Sequence, residues 1–88
     1  MMYIILTYDI RAPRVGRVGK TAKKYLRPVQ RSVFEGFLSE GKLERLKAEL
    51  KALVDCDEDA VRIYKLQNLQ GAQVDELGLR QEPLERIL

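Results

Sequence analysis

The stretch YIILTYDI, residues 3–10, constrains the fold most. By the two-residue period of a strand, Tyr3, Ile5, Thr7 and Asp9 share one face, and Ile4, Leu6, Tyr8 and Ile10 share the other. Both faces are largely apolar, so both must be covered. A chain of 88 residues forms one domain with a modest core, and a partner subunit is expected to supply what its own elements cannot. The strand nevertheless ends in a carboxylate, Asp9, followed closely by Arg11 and Arg14.

The next segment, APRVGRVGKTAKKYLRP, reads as a helix. Pro13 suits a first helical turn, and Pro28 closes the segment. Val15, Val18, Ala22 and Leu26 fall on one side at helical spacing. Arg14, Arg17, Thr21 and Lys24 fall on the other, flanked by Lys20 and Lys23. Gly16 and Gly19 each weaken a helix interior by about 1 kcal/mol against Ala, which points to a close approach of the helix to the sheet or of a ligand to its backbone. VQRSVFEGFL reads as one bent or bulged strand or a very tight pair. Ser39 is the expected N-cap of a second helix with the apolar stripe Leu43, Leu46, Leu50 and Leu53. VRIYKLQN is a further strand, and QVDELG after Gly71 a short last one. The acidic run Asp55, Asp57, Glu58 and Asp59 lacks the glycine and spacing of a calcium loop and reads as a solvated loop.

This order predicts an α+β fold, a ferredoxin-like βαββαβ sandwich with an extra C-terminal strand, in one domain over 1–88. The tail RQEPLERIL is too apolar to dangle, so the segment from about 72 to 88 is expected to pack on a partner subunit or exchange with it. The sheet's open face, carrying Tyr3, Ile5 and Thr7, must then be hidden by another subunit or by the C-terminal strand of one, with Asp9 pointing into that junction, and a homodimer is expected.

Charge is segregated along the chain. Residues 1–34 carry eight basic side chains against Asp9 alone, +7, and the remainder eight against twelve acidic ones, −4. The basic half is where a polyanion would bind. Lone Cys56 sits among acidic neighbours that do not activate it, and no apolar run approaches the roughly 18 residues of a membrane span. The chain reads as a cytoplasmic protein with no membrane partner. It contains no histidine, which removes the commonest general base and zinc ligand. Phosphodiester chemistry would then need a hard cation such as Mg²⁺, which takes one or two carboxylates together with phosphate oxygens and water. Two copies of Asp9 across a two-fold axis would supply that pair. Alternatively, Asp9 caps the first helix or pairs with Arg11.

These residues carry a resemblance. The strand ending TYDI, the basic first helix, VQRSVFEG about twenty residues later, and the leucine-striped helix followed by VRIYKL resemble the small CRISPR-associated Cas-two family over nearly the whole chain. The resemblance implies a dimer with facing sheets and exchanged C-terminal strands, and a metal-dependent endonuclease of RNA or DNA. It matches Asp9 to the metal-binding aspartate, one Mg²⁺ being shared by two subunits. Tyr8, Ser32 and Phe34 match catalytic-motif positions, and Arg17 a helix arginine. Pro28 stands where the family commonly has arginine, with Arg27 before it. The family also bridges two dimers of the Cas-one integrase during spacer acquisition. In that role Arg11, Arg14, Arg17, Lys20, Lys24, Arg27 and Arg31 would contact duplex DNA, with single-stranded RNA a second nucleic acid. A non-catalytic DNA-binding scaffold is the alternative to a nuclease. A small-molecule regulatory module is a third reading, disfavoured because no glycine-rich ligand loop accompanies the basic helix.

Overall fold

A computed structural model describes residues 1–67 of the chain. The elements run β1 (Met2–Asp9), α1 (Ala12–Lys23), β2 (Arg27–Gln30), β3 (Val33–Leu38), α2 (Glu40–Leu53) and β4 (Ala60–Leu66). The strands form one sheet in the order β2-β3-β1-β4, every neighbouring pair antiparallel. This is the expected ferredoxin-like arrangement. The fifth strand read from QVDELG and the packing or exchange of segment 72–88 lie outside the described residues.

Strand β1 is central, bonded to β3 on one side and β4 on the other. Met2, Ile4 and Leu6 are buried beneath the helices with Val18, Ala22, Leu26, Phe34, Leu38, Leu43, Leu46 and Leu50. Helix α2 is fixed as its sequence suggests: the Ser39 hydroxyl accepts from the Lys42 N–H at 3.2 Å, and Leu43, Leu46 and Leu50 turn inward. Helix α1 departs from the expected pattern. Val15 is 38% exposed and Thr21 is buried, because the surface that docks runs through Val18, Thr21 and Ala22. Thr21 therefore belongs to the packed side rather than the cationic one. A Cβ on Gly19 would stand 3.4 Å from the Tyr8 hydroxyl, whereas one on Gly16 would meet nothing within 4 Å. Of the two glycines, only Gly19 marks a close approach of helix to sheet.

The segment VQRSVFEGFL resolves into a very tight pair of strands with a register shift between Pro28 and Gln30. Gln30 pairs with Val33, so Arg31 and Ser32 make the turn, and Ser32 takes φ 65°, a left-handed conformation that a non-glycine residue adopts at some cost. Its carbonyl accepts the Tyr8 N–H at 3.2 Å, which ties the turn to the end of β1.

The opposite face of the sheet carries no layer among the described residues. Tyr3 and Phe37 meet edge to face there at 4.9 Å between ring centroids. Phe37 is 55% exposed and Leu66 40%, beside partly exposed Ile5 and Tyr64. The Tyr3 hydroxyl donates to Glu35, which also pairs with Arg27 at 3.4 Å. Burial first, and then the neighbouring Glu35 carboxylate, push the Tyr3 phenol up to about 12.

Candidate active site

Asp9 ends β1 on this uncovered face, paired across the sheet with Ala60. A residue with so small a side chain leaves room beside the carboxylate. Thr7, Tyr8, Asp9, Ala60, Val61 and Arg62 line a cleft of about 280 Å³ at that end of the sheet. Asp9 is exposed. Neither alternative read for it from the sequence holds: the N-cap of α1 is Arg11, with no side-chain capping bond of its own, and the ion pairs among the described residues do not include Asp9.

Of the positions that the resemblance assigns to the catalytic motif, Tyr8 and Phe34 lie on the face of the sheet opposite Asp9. Tyr8 and Asp9 are adjacent and so project from opposite faces of the sheet. The Tyr8 ring packs against the core and stacks on Phe34 at 6.1 Å between centroids, and its hydroxyl stands beside Gly19. Burial pushes the Tyr8 phenol up, so it stays protonated at neutral pH, a hydroxyl that can donate or accept. Phe34 is 3% exposed and packs behind Tyr8. Ser32 reaches it through its backbone carbonyl.

The cationic stripe also needs correction. Arg14 donates to Asp59 through Nε at 2.6 Å and Nη2 at 3.1 Å, and to Glu58 at 2.9 Å. Lys24 pairs with Glu49, which the Tyr25 hydroxyl also contacts, and Arg27 pairs with Glu35. Three of the seven expected phosphate contacts are thus engaged by carboxylates. Arg11, Arg17, Lys20 and Arg31 are exposed and outside the ion pairs of the described residues, and Lys23 joins Arg17 and Lys20 on α1. Arg62, absent from the expected set, lies on the Asp9 face two pairs along from Asp9–Ala60, with Nη1 at 3.4 Å from the Tyr64 hydroxyl. Its place in VRIYKL, on the parity of Ala60 and Tyr64, was the available signal.

The acidic loop is not simply solvated. The Asp59 side chain is fully buried and accepts from the Arg11 N–H at 2.9 Å and the Asp55 N–H at 2.8 Å, besides Arg14. It thereby supplies, from 48 residues further on, the negative charge at the start of α1 that the helix's own first turn lacks. The Arg14 guanidinium, and then the backbone N–H groups of Arg11 and Asp55, hold the Asp59 carboxyl well below the usual range against the opposing effect of burial.

A family model described as CRISPR associated protein Cas2 matches residues 1–74. The chain belongs to the CRISPR-associated Cas2 family. A protein of Thermococcus kodakarensis named CRISPR-associated endoribonuclease Cas2 is 44% identical over 87 residues, spanning 99% of this chain and 100% of that one. Its namesake from Thermotoga maritima is 45% identical over 78 residues, 89% of this chain and 90% of the relative. A crystal structure described as Cas2 superposes with a TM-score of 0.81 at 40% identity, covering 93% of this chain and 92% of that one. No helix among the described residues is long and apolar enough to cross a membrane.

The Asp59 contacts set an acid limit on this Cas2 chain's stability. A carboxyl depressed in the folded state binds fewer protons there than in the unfolded chain, whose aspartate titrates near about pH 3.9. Its contribution is fully present above that value and is lost as pH falls toward the depressed one. Urea unfolding from pH 7 down to pH 2 is expected to show Asp59→Asn less stable at neutral pH, with the gap to the parent closing below about pH 4. A constant gap would show that Asp59 does not titrate with folding.

Proposed function

We propose that this Cas2 chain is a Mg²⁺-dependent endonuclease whose site is completed by a second copy, and that the dimer serves as the DNA-holding bridge of the Cas-one integrase during spacer acquisition. The observation that carries the reading is Asp9, an exposed carboxylate at the end of a central strand, on an apolar face with nothing over it among the described residues. Relatives at 44% and 45% identity bear the endoribonuclease name, which favours phosphodiester cleavage.

The donor set agrees with Mg²⁺. Among the described residues no three His, Cys, Asp or Glu side chains gather into a metal-holding group, so a multi-carboxylate calcium cage or a His/Cys zinc site has no counterpart there. A single Asp9 from each of two chains suits an ion that keeps several waters and accepts one or two carboxylates. Held there, Mg²⁺ would polarise a phosphoryl oxygen and lower the pKa of a bound water. Arg62 would meet phosphate beside Asp9, and Tyr8, Phe34 and the Ser32 carbonyl would hold the strand end in place. With no histidine in the chain, no imidazole is at hand as base. Burial of Phe37, Leu66, Ile5 and Tyr64 against the same face of another chain would drive the dimer.

Asp9→Asn keeps the size of the side chain and removes both carboxylates of the dimer at once. Cleavage of single-stranded RNA and of duplex DNA in Mg²⁺ is expected to fall by about a hundredfold or more, with dimerisation measured by light scattering unchanged. An Asn variant that cuts as fast as the parent would sink the nuclease reading.

The scaffold role is favoured by Arg17, Lys20 and Lys23, exposed on α1 without ion pairs among the described residues. Phosphate contacts of this kind give affinity for any sequence and a steep salt dependence. Replacing Arg17 and Lys20 by Ala is expected to weaken duplex binding to every sequence alike and to flatten the salt slope by about two for each chain in contact with the DNA. Replacing Arg14 and Lys24, already paired, is expected to change the slope far less. The reverse order would place the DNA elsewhere.

A further inference from the structure

Asp59 is the most completely buried carboxylate among the described ion pairs, its side chain fully covered, and nothing in the cleavage reading uses it. Its position is specific. Two residues, Ile10 and Arg11, connect the end of β1 to α1, and one Asp59 oxygen holds the Arg11 N–H at 2.9 Å. The residue after Asp59 is Ala60, the cross-strand partner of Asp9. The carboxylate thus grips the chain two residues beyond Asp9 and one residue from the position opposite it.

Four donors close on this group: the Arg11 N–H, the Asp55 N–H at 2.8 Å, and Arg14 through Nε at 2.6 Å and Nη2 at 3.1 Å. Two of the bonds come from a guanidinium in the side-on geometry that fixes direction as well as distance. Locally, little else restrains the turn. Arg11 makes no side-chain cap, and no acidic residue occupies the first turn of α1. Without Asp59, the N-terminal end of a basic helix would sit beside Asp9 with its charge uncompensated.

We infer that Asp59 is a positioning residue for the Asp9 half-site, its buried carboxylate fixing the β1–α1 turn and the start of β4 so that the Asp9 carboxylate is held in place for a divalent cation. The inference rests on the proposed metal reading and extends it to a group that touches neither ion nor substrate. Residues that support a metal ligand from behind characteristically cost about 10–100-fold in metal affinity or activity when removed. Asp59→Ala leaves the Arg11 and Asp55 N–H groups without their acceptor and Arg14 with Glu58 alone. Asp59→Asn retains an oxygen for the Arg11 N–H while losing the charge that holds Arg14.

The test is Mn²⁺ binding to the full-length protein by electron paramagnetic resonance without nucleic acid, alongside kcat and KM for single-stranded RNA. Circular dichroism and light scattering check that each variant is folded and associated like the parent. Asp59→Ala is expected to weaken Mn²⁺ binding about tenfold or more and to lower kcat comparably, with KM within twofold. Asp59→Asn is expected to fall between Ala and the parent, and it carries the test if the Ala variant does not fold. Folded variants that bind Mn²⁺ as the parent does would reduce Asp59 to a purely structural role and overturn the inference. Binding weakened by the Asp59 variants but untouched by Asp9→Asn would put the ion away from Asp9 and defeat the metal reading. A parent that binds no Mn²⁺ would defeat both.

Discussion

The structure depends on a central strand that is apolar on both faces while its own chain covers only one among the described residues. Ile4 and Leu6 have no exposed surface, locked beneath α1 and α2. On the other parity, Tyr3, Ile5 and Asp9 face outward with Phe37 and Tyr64 beside them. Burying that second face removes roughly 25 cal/mol of unfavourable free energy for each Å² of apolar surface. The proposed dimer would therefore place two carboxylates close together for the same reason that it forms. Like charges brought near each other repel, and a divalent cation offsets that cost. In this account assembly and the metal site are linked by the alternation of one strand.

A second constraint acts along the chain. Helix α1 is strongly basic and has no cap of its own, and its first turn is stabilised by Asp59 from the loop before β4. Satisfying that carboxylate uses Arg14, so one of the cations that look available for nucleic acid is spent on folding. Lys24 with Glu49, and Arg27 with Glu35, follow the same logic. What remains outward on α1 is Arg17, Lys20 and Lys23, a smaller cationic surface than the net charge of the first 34 residues suggests.

Much of this was legible in the sequence. Period-two alternation gave the two faces of β1, Ser39 and the leucine stripe defined α2, and element order fixed the sheet topology. Val15 and Thr21 were misplaced because a helix periodicity shows an apolar side without fixing its angle, and the docking surface of α1 is rotated toward Thr21. The resemblance grouped Tyr8 with Asp9 as motif positions, and the strand alternation already legible in the sequence separates their faces. The Asp59 contacts to Arg11 and Arg14 span 48 and 45 residues, and no local pattern reports a contact at that separation. Four acidic residues within five positions read as solvent-facing, and only the folded chain distinguishes the one that is buried. Arg62 was legible only in part: its parity with Ala60 and Tyr64 shows in VRIYKL, and its relation to Asp9 comes from the β1–β4 register.

The central claim is that each chain carries half of a cation site. Its most direct test is the stoichiometry of tightly bound Mn²⁺, measured by metal analysis of protein equilibrated with the ion and freed of excess. One ion for every two chains, lost in the Asp9→Asn protein, is the result expected from a site shared across a dimer. One ion per chain, or a ratio that survives Asp9→Asn, would contradict it.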